Sequence, residues 1–134
     1  MISKLDEFNV LGDNRGKLIA LESNNEIPFD IKRVFYIYGT QPNTPRGKHS
    51  HYKTKQFLIV VNGSCKVTLD NGKEKETFNL NKPNIGLFQD ALIWGTMHEF
   101  SSDCVLMVLA DDYYNDSDYI RDYDEFLKVI NSDS

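Results

Sequence analysis

Few side chains move protons readily near neutral pH. Histidine is the main one, and this sequence holds three: His49, His51 and His98. Two of them stand at i and i+2. On a β-strand that spacing turns both imidazoles to the same face. They follow Pro45-Arg46-Gly47-Lys48, a basic lead-in. Polar side chains on an inward-facing strand are costly unless they are hydrogen-bonded or used. The pair therefore reads as a site, able either to ligate a metal or to act as general acid and base.

The elements that must hold this pair are short strands broken by turns. Ile31 to Tyr38 is rich in β-branched and aromatic residues, and Arg33 interrupts it. Gln56 to Val61 is an almost continuous apolar run closed by Asn62-Gly63, a pair favoured in tight hairpins. Cys65 to Leu69 alternates apolar and polar with period two. A second Asn-Gly pair, Asn71-Gly72, leads into Glu74 to Leu80. Pro83 and Gly86 punctuate the way to Leu87-Phe88, and Val105 to Leu109 is a last, fully apolar strand. Two hairpins in series with further short strands predict an all-β sandwich or small barrel. The C-terminal part changes period. Asp116-Ser117-Asp118 can cap a helix, and Tyr119, Ile120, Tyr123, Phe126, Leu127 and Ile130 recur at three- and four-residue spacing. A short C-terminal helix is expected to pack on the outside of the barrel.

With 134 residues, 40% hydrophobic and 26% charged, the chain is expected to fold as a single domain over 1–134. A net charge of −5 argues against binding a nucleic-acid backbone. No apolar run approaches the ~20 residues of a membrane helix. Asp6, Glu7 and Asn9 exclude a signal peptide at the start. Cys65 and Cys104 sit in apolar runs and read as reduced core residues of a cytoplasmic protein. A strand apolar on both faces, such as Val105 to Leu109, predicts that a second copy covers its outer side in a homodimer.

The spacing His49-x-His51, then Gln56, then Gly63 resembles the first cupin motif, and Pro83 to Gly86 resembles the second. Cupins hold a metal in a small β-barrel with two histidines, a glutamate and a later third histidine. Here Gln56 takes the acidic position. Ala91 to Ile93 are apolar, and His98 lies late. Two imidazoles alone make a weak site for Zn²⁺ or Fe²⁺. The reading is a site with no metal and no cofactor, its histidines freed for proton transfer.

The resemblance extends along the chain. It runs through Asp13-Asn14-Arg15-Gly16, Ile31 to Tyr36, Pro45 to His51, Asn62 to Cys65, Trp94, Met97 to Phe100, Ser102 to Val105, Leu109 to Tyr114 and Asp118 to Arg121. These segments are similar to the bacterial cupin-type dTDP-4-keto-6-deoxyglucose 3,4-ketoisomerases, where some members carry His-Glu after Trp94 and this chain has Gly95-Thr96. The resemblance implies an RmlC-like jelly roll. It also implies an isomerase that moves a carbonyl from C4 to C3 through an enediol, making precursors of 3-amino-3,6-dideoxy sugars for surface glycans, lipopolysaccharide O-antigen among them. It implies His51 as the base, with His49 positioning sugar oxygens or relaying protons. Tyr36 and Tyr38 share a strand face and offer phenol donors. A diphosphate prefers arginine, so Arg33 and Arg46 are the expected nucleotide anchors, with Lys17 behind them and Gln56 hydrogen-bonding inside the barrel. The rival readings are a nucleotide-sugar 3,5-epimerase, a non-catalytic sugar-nucleotide-binding cupin, and a metal-dependent dioxygenase, against which Gln56 argues.

Overall fold

The structure, a computed structural model, describes residues 2–132. Twelve strands and one helix follow in order. They are β1 (Leu5–Glu7), β2 (Leu11–Asp13), β3 (Gly16–Leu18), β4 (Arg33–Ile37), β5 (Arg46–His51), β6 (Gln56–Asn62), β7 (Cys65–Asp70), β8 (Lys75–Leu80), β9 (Ile85–Gln89), β10 (Trp94–His98), β11 (Val105–Ala110), β12 (Tyr119–Ile120) and α1 (Tyr123–Ser132). Two five-stranded sheets, in the orders β1-β9-β6-β11-β4 and β12-β5-β10-β7-β8, stack as a jelly roll. All the strand pairs within them are antiparallel. This is the all-β fold with a short C-terminal helix that the sequence predicts. Among the described residues, no helix is long and apolar enough to cross a membrane.

The apolar run of β6 is explained by burial on both faces. Leu58 and Val60 point into the core between the sheets, with Val67, Leu69, Leu80, Leu106 and Val108. Phe57 and Ile59 point outward, into a second core with Phe8, Ile27, Phe29 and Leu109. That second core corrects one expectation. On the outer face of β11, Leu109 is buried against the chain's own Ile27 and Phe29, with Met107 partly buried beside them, so much of the cover expected of a second copy comes from the chain itself. Large apolar side chains are exposed elsewhere: Leu11 and Leu18 on the β2–β3 hairpin, Val34 and Tyr36 on edge strand β4, and Tyr38 just after it.

Two local expectations also change. The Asn62-Gly63 turn joins no hairpin. β6 pairs with β9 and β11, and β7 pairs with β8 and β10, so this turn carries the chain from one sheet to the other. The second turn does close a hairpin, β7–β8, through a four-residue loop in which Asn71 N–H donates to the Glu74 carbonyl. The C-terminal helix begins later than its periodicity suggests. Asp116–Asp118 forms one turn of 3-10 helix capped by Asn115. Tyr119 and Ile120 then pair with His51 and Ser50 of β5. Only after Asp122 does α1 start, laying Phe126 against Trp94 and Ile120. Cys65 and Cys104 are buried free thiols, as the sequence predicts.

Candidate active site

One end of the sandwich is not filled by apolar side chains. A cavity of about 410 Å³ opens there, lined in part by Arg46, His49, Gln56, Gln89, Gly95 and Tyr119. Gln56 continues the inward face of Leu58 and Val60, and so places an amide where the core gives way to the cavity. Gln89 stands directly opposite it on β9.

Strand β5 reaches this cavity with a bulge. The register slips against β10, so that Gly95 faces His49 while Thr96 faces Gly47. Lys48 is the extra residue, and both Gly47 (φ 84°) and Lys48 (φ 56°) adopt positive φ. Strict alternation would put Arg46 and His49 on opposite faces. The bulge lets both line the cavity.

His49, His51 and Tyr119 form one aromatic cluster. The imidazole centroids of His49 and His51 are 5.1 Å apart, edge to face. The Tyr119 ring lies 5.1 Å from His49 and 4.4 Å from His51. The shared face read from the i, i+2 spacing is therefore present. The two histidines differ in access. His49 is on the cavity wall, whereas His51 is only 3% exposed and sits against both other rings. His51 Nε2 is buried with no hydrogen-bond partner.

Burial is the main force on both ring pKa values, because removing water disfavours the imidazolium. It pushes His51 down to about 4, with the His49 ring adding to the effect and the Asp118 carboxylate opposing it. It lowers His49 as well, against a hydrogen bond to the Gly47 backbone. Both imidazoles are neutral at pH 7 and able to accept a proton. Asp118 is fixed by the Lys53 and Thr54 N–H groups and the Thr54 hydroxyl, all donating to its carboxylate.

The remaining expected residues fall in different places. Gln56 lies within the cavity wall and Arg46 at its mouth. Arg33 lies near His51, its guanidinium carbon 5.7 Å from the Tyr114 ring and 5.3 Å from the Phe35 ring, with a buried Nε that has no partner. Tyr36 and Tyr38 do share a face, their rings 6.3 Å apart, but it is the outward one, 64% and 72% exposed. Phe35 and Ile37 face inward instead. Tyr36 still touches the cavity rim; Tyr38 does not line it. Lys17 is on the exposed β2–β3 hairpin, outside the cavity lining.

Three further residues at the site carry no clear signal in the sequence. The spacing of Tyr119 fits a helix, although it lies on a two-residue strand beside the histidines. Arg121 caps that ring at 4.3 Å and pairs with Asp116 at 3.0 Å. Gln89 is a polar residue ending the Leu87-Phe88 strand, and a glutamine at a strand end carries no sequence signal of its direction. Among the described residues, no group of three His, Cys, Asp or Glu converges to hold a metal.

Comparison with known proteins agrees with this geometry. The family model described as FdtA, WxcM-like, C-terminal, matches residues 1–131. The chain is 50% identical over 130 residues to the TDP-4-oxo-6-deoxy-alpha-D-glucose-3,4-oxoisomerase of Aneurinibacillus thermoaerophilus, covering 97% of this chain and 94% of that protein. It is similar to the crystal structure of a 3,4-ketoisomerase from Helicobacter canadensis, with TM-score 0.95, 50% identity and 98% of each chain covered. A further solved structure is the H51N mutant of the 3,4-ketoisomerase QdtA from Thermoanaerobacterium thermosaccharolyticum in complex with TDP-4-keto-6-deoxyglucose. It gives a TM-score of 0.94 at 40% identity, covering 98% of this chain and 95% of that one. A family model that spans nearly the whole chain, and a relative of similar length that shares half its residues, place this protein in the FdtA family.

Proposed function

We propose that the protein is a TDP-sugar 3,4-ketoisomerase acting on TDP-4-keto-6-deoxyglucose. The observation that carries this reading is a pair of neutral imidazoles on one strand, His49 on the wall of a cavity and His51 buried beside it, with a phenol against both. The activities of its relatives support it.

The chemistry needs no oxidant. A base takes the proton from C3 while O4 gains one, giving an enediol across C3 and C4. After exchange with solvent, the protonated base delivers a proton to C4 as O3 gives up its own, leaving the carbonyl at C3. A neutral histidine suits the first step, and its conjugate acid the return. His51 is the proposed base, and His49 positions the sugar oxygens or relays protons. The phenol nearest both rings is Tyr119, placed to donate to an oxygen that gains charge. Tyr36 at the rim is a second phenol. Arg46 and Arg33 are proposed to hold the diphosphate, whose geometry matches the guanidinium fork. Arg121 provides a further cation beside the cluster.

The decisive measurement is NMR of the product formed in D₂O by protein dialysed against EDTA. A 3-keto product with deuterium at C4 and none at C5, formed at the undialysed rate, is the expected result. Exchange at C5 would indicate an epimerase. Activity lost on dialysis and restored by a stoichiometric divalent metal would overturn the metal-free site.

The active unit is proposed to be a homodimer. The β2–β3 hairpin exposes Leu11 and Leu18, and edge strand β4 exposes Val34 and Tyr36, with Tyr38 exposed just after it. An uncovered strand edge with apolar side chains is a template for pairing. Lys17, outside the cavity lining of its own chain, lies on that hairpin and would meet a nucleotide if the arm docks on a second copy. Light scattering should give a mass near twice 15.5 kDa at micromolar concentration; a monomeric mass would rule out this arrangement. Two buried free thiols suit a reducing compartment, the cytoplasm. The product would feed 3-amino-3,6-dideoxy sugars of surface glycans such as O-antigen.

A further inference from the structure

The amide of Gln89 is held with unusual care for a residue outside the histidine cluster. Leu87, two residues earlier on β9, points into the core between the sheets, so Gln89 points the same way. Its Nε2 donates to the Ile93 carbonyl at 3.0 Å. The rest of the amide packs against Gly95. A Cβ built on Gly95 would come within 2.6 Å of Nε2 and 3.0 Å of Oε1, too close unless the amide swings away. Gly95 is the register partner of His49 on the neighbouring strand, and Gln89, Gly95 and His49 all line the same cavity. A side chain at position 95 would thus displace this amide from its place on the cavity wall that it shares with His49.

The substrate explains why an amide belongs there. A 4-keto-6-deoxyhexose joined through C1 offers little to recognise. O3 and O4 change between hydroxyl and carbonyl during the reaction, C6 is a methyl, and the ring oxygen only accepts. The 2-hydroxyl alone stays the same from substrate to product, and it is attached to the carbon next to C3. A hydrogen-bond acceptor on the cavity wall shared with His49, the ring proposed to position the sugar oxygens, is suitably placed for it. We infer that Gln89 is a substrate-contacting specificity residue whose Oε1 accepts a hydrogen bond from the sugar 2-hydroxyl, with Gly95 kept bare to make room for the amide. The inference rests on the keto-sugar reading above. A neutral amide suits the position better than a carboxylate, which would oppose the negative charge developing on the enediol oxygens.

The test compares kcat/KM for TDP-4-keto-6-deoxyglucose and its 2-deoxy analogue in the wild type, Gln89→Met and Gly95→Ala, with TDP affinity measured by calorimetry. The wild type should prefer the 2-hydroxy substrate by about 10- to 100-fold, since the analogue leaves a buried acceptor unpaired. In Gln89→Met that preference should fall to within about threefold, the loss falling on the hydroxylated substrate, with TDP binding unchanged. Gly95→Ala should reproduce the loss by pushing the amide aside. It carries the test should Gln89→Met fail to fold, and Gln89→Asn, which keeps an amide on a shorter stem, carries it should both fail. No preference in the wild type, a preference that persists in the variants, or an equal loss on both substrates would overturn the inference while leaving the ketoisomerase reading intact. A wild-type protein that turns over neither sugar would refute that reading instead.

Discussion

His51→Asn should cut kcat for keto-sugar isomerisation by about 10²–10⁴-fold or more, with a modest change in KM and with folding and TDP binding retained. The size follows from what general acid–base catalysis supplies. The modest change in KM follows from position. His51 is buried behind His49 and Tyr119, away from the mouth where Arg46 is placed to meet a nucleotide. Its Nε2 is buried without a partner. A buried ring nitrogen left unpaired costs free energy in the resting protein, and such atoms are few. It is best explained as the atom that meets a proton during turnover. His49→Asn should slow turnover less, because positioning and relay are partly replaceable. A folded His51→Asn protein keeping more than about a tenth of wild-type kcat would refute the assignment. If His49→Asn proved the more damaging, the base would be the ring on the cavity wall. Proton transfer on this strand would stand, with the two roles exchanged.

The i, i+2 rule is why the histidine pair was readable in sequence: a strand turns alternate residues to one face whatever surrounds it. The same rule misled at Tyr36 and Tyr38. Alternation says that they share a face, but not which face is inside, and the strand is apolar on both. Phe35 and Ile37 fill the interior, leaving the phenols outside. Period 3.6 misled in a different way at Tyr119 and Ile120. Their spacing from Tyr123 and Phe126 fits a helix, yet both pair with β5, with Ile120 buried and Tyr119 on the cavity wall, and only tertiary context separates the two. The Asn62-Gly63 turn shows the same limit. A turn signal says that the chain reverses, and the buried faces of β6 decide that it changes sheet instead of pairing with β7. The outer face of β11 was legible as apolar. Its cover was not, because Ile27 and Phe29 lie in an irregular segment with no period to read. The bulge at Gly47-Lys48 had a local sign, a glycine beside the site, but its effect on Arg46 depends on register against β10.

Stability should fall as pH drops below 6.5, and His51 should carry much of the loss. Burial holds its folded pKa at about 4, against an ordinary value of 6.5. Between these values the unfolded chain binds a proton that the folded chain refuses, so each step downward in pH favours unfolding. Stability tied to His51 is complete above 6.5, declines through the window from 6.5 to 4, and is exhausted below it. The full difference is about 3 kcal/mol, of which about 2 kcal/mol falls between pH 7 and pH 5. His49, also lowered by burial, adds to the loss in the same direction. Urea unfolding at pH 7 and pH 5 measures this directly, and His51→Asn isolates the histidine, since an amide does not titrate. The wild type should lose about 2 kcal/mol more than the variant over that interval. Parallel losses would mean that His51 keeps an ordinary pKa when folded. The same titration bears on catalysis. An imidazole that stays neutral to well below pH 6 is a competent base throughout the neutral range, but a weak one. The structure then has to make up the lost basicity by stabilising the enediol, and the donors available beside the rings are the Tyr119 phenol and the Arg33 and Arg121 cations. An acid limb of kcat/KM falling well below 6.5, moving with the unfolding profile, would place the base and the buried imidazole on the same residue.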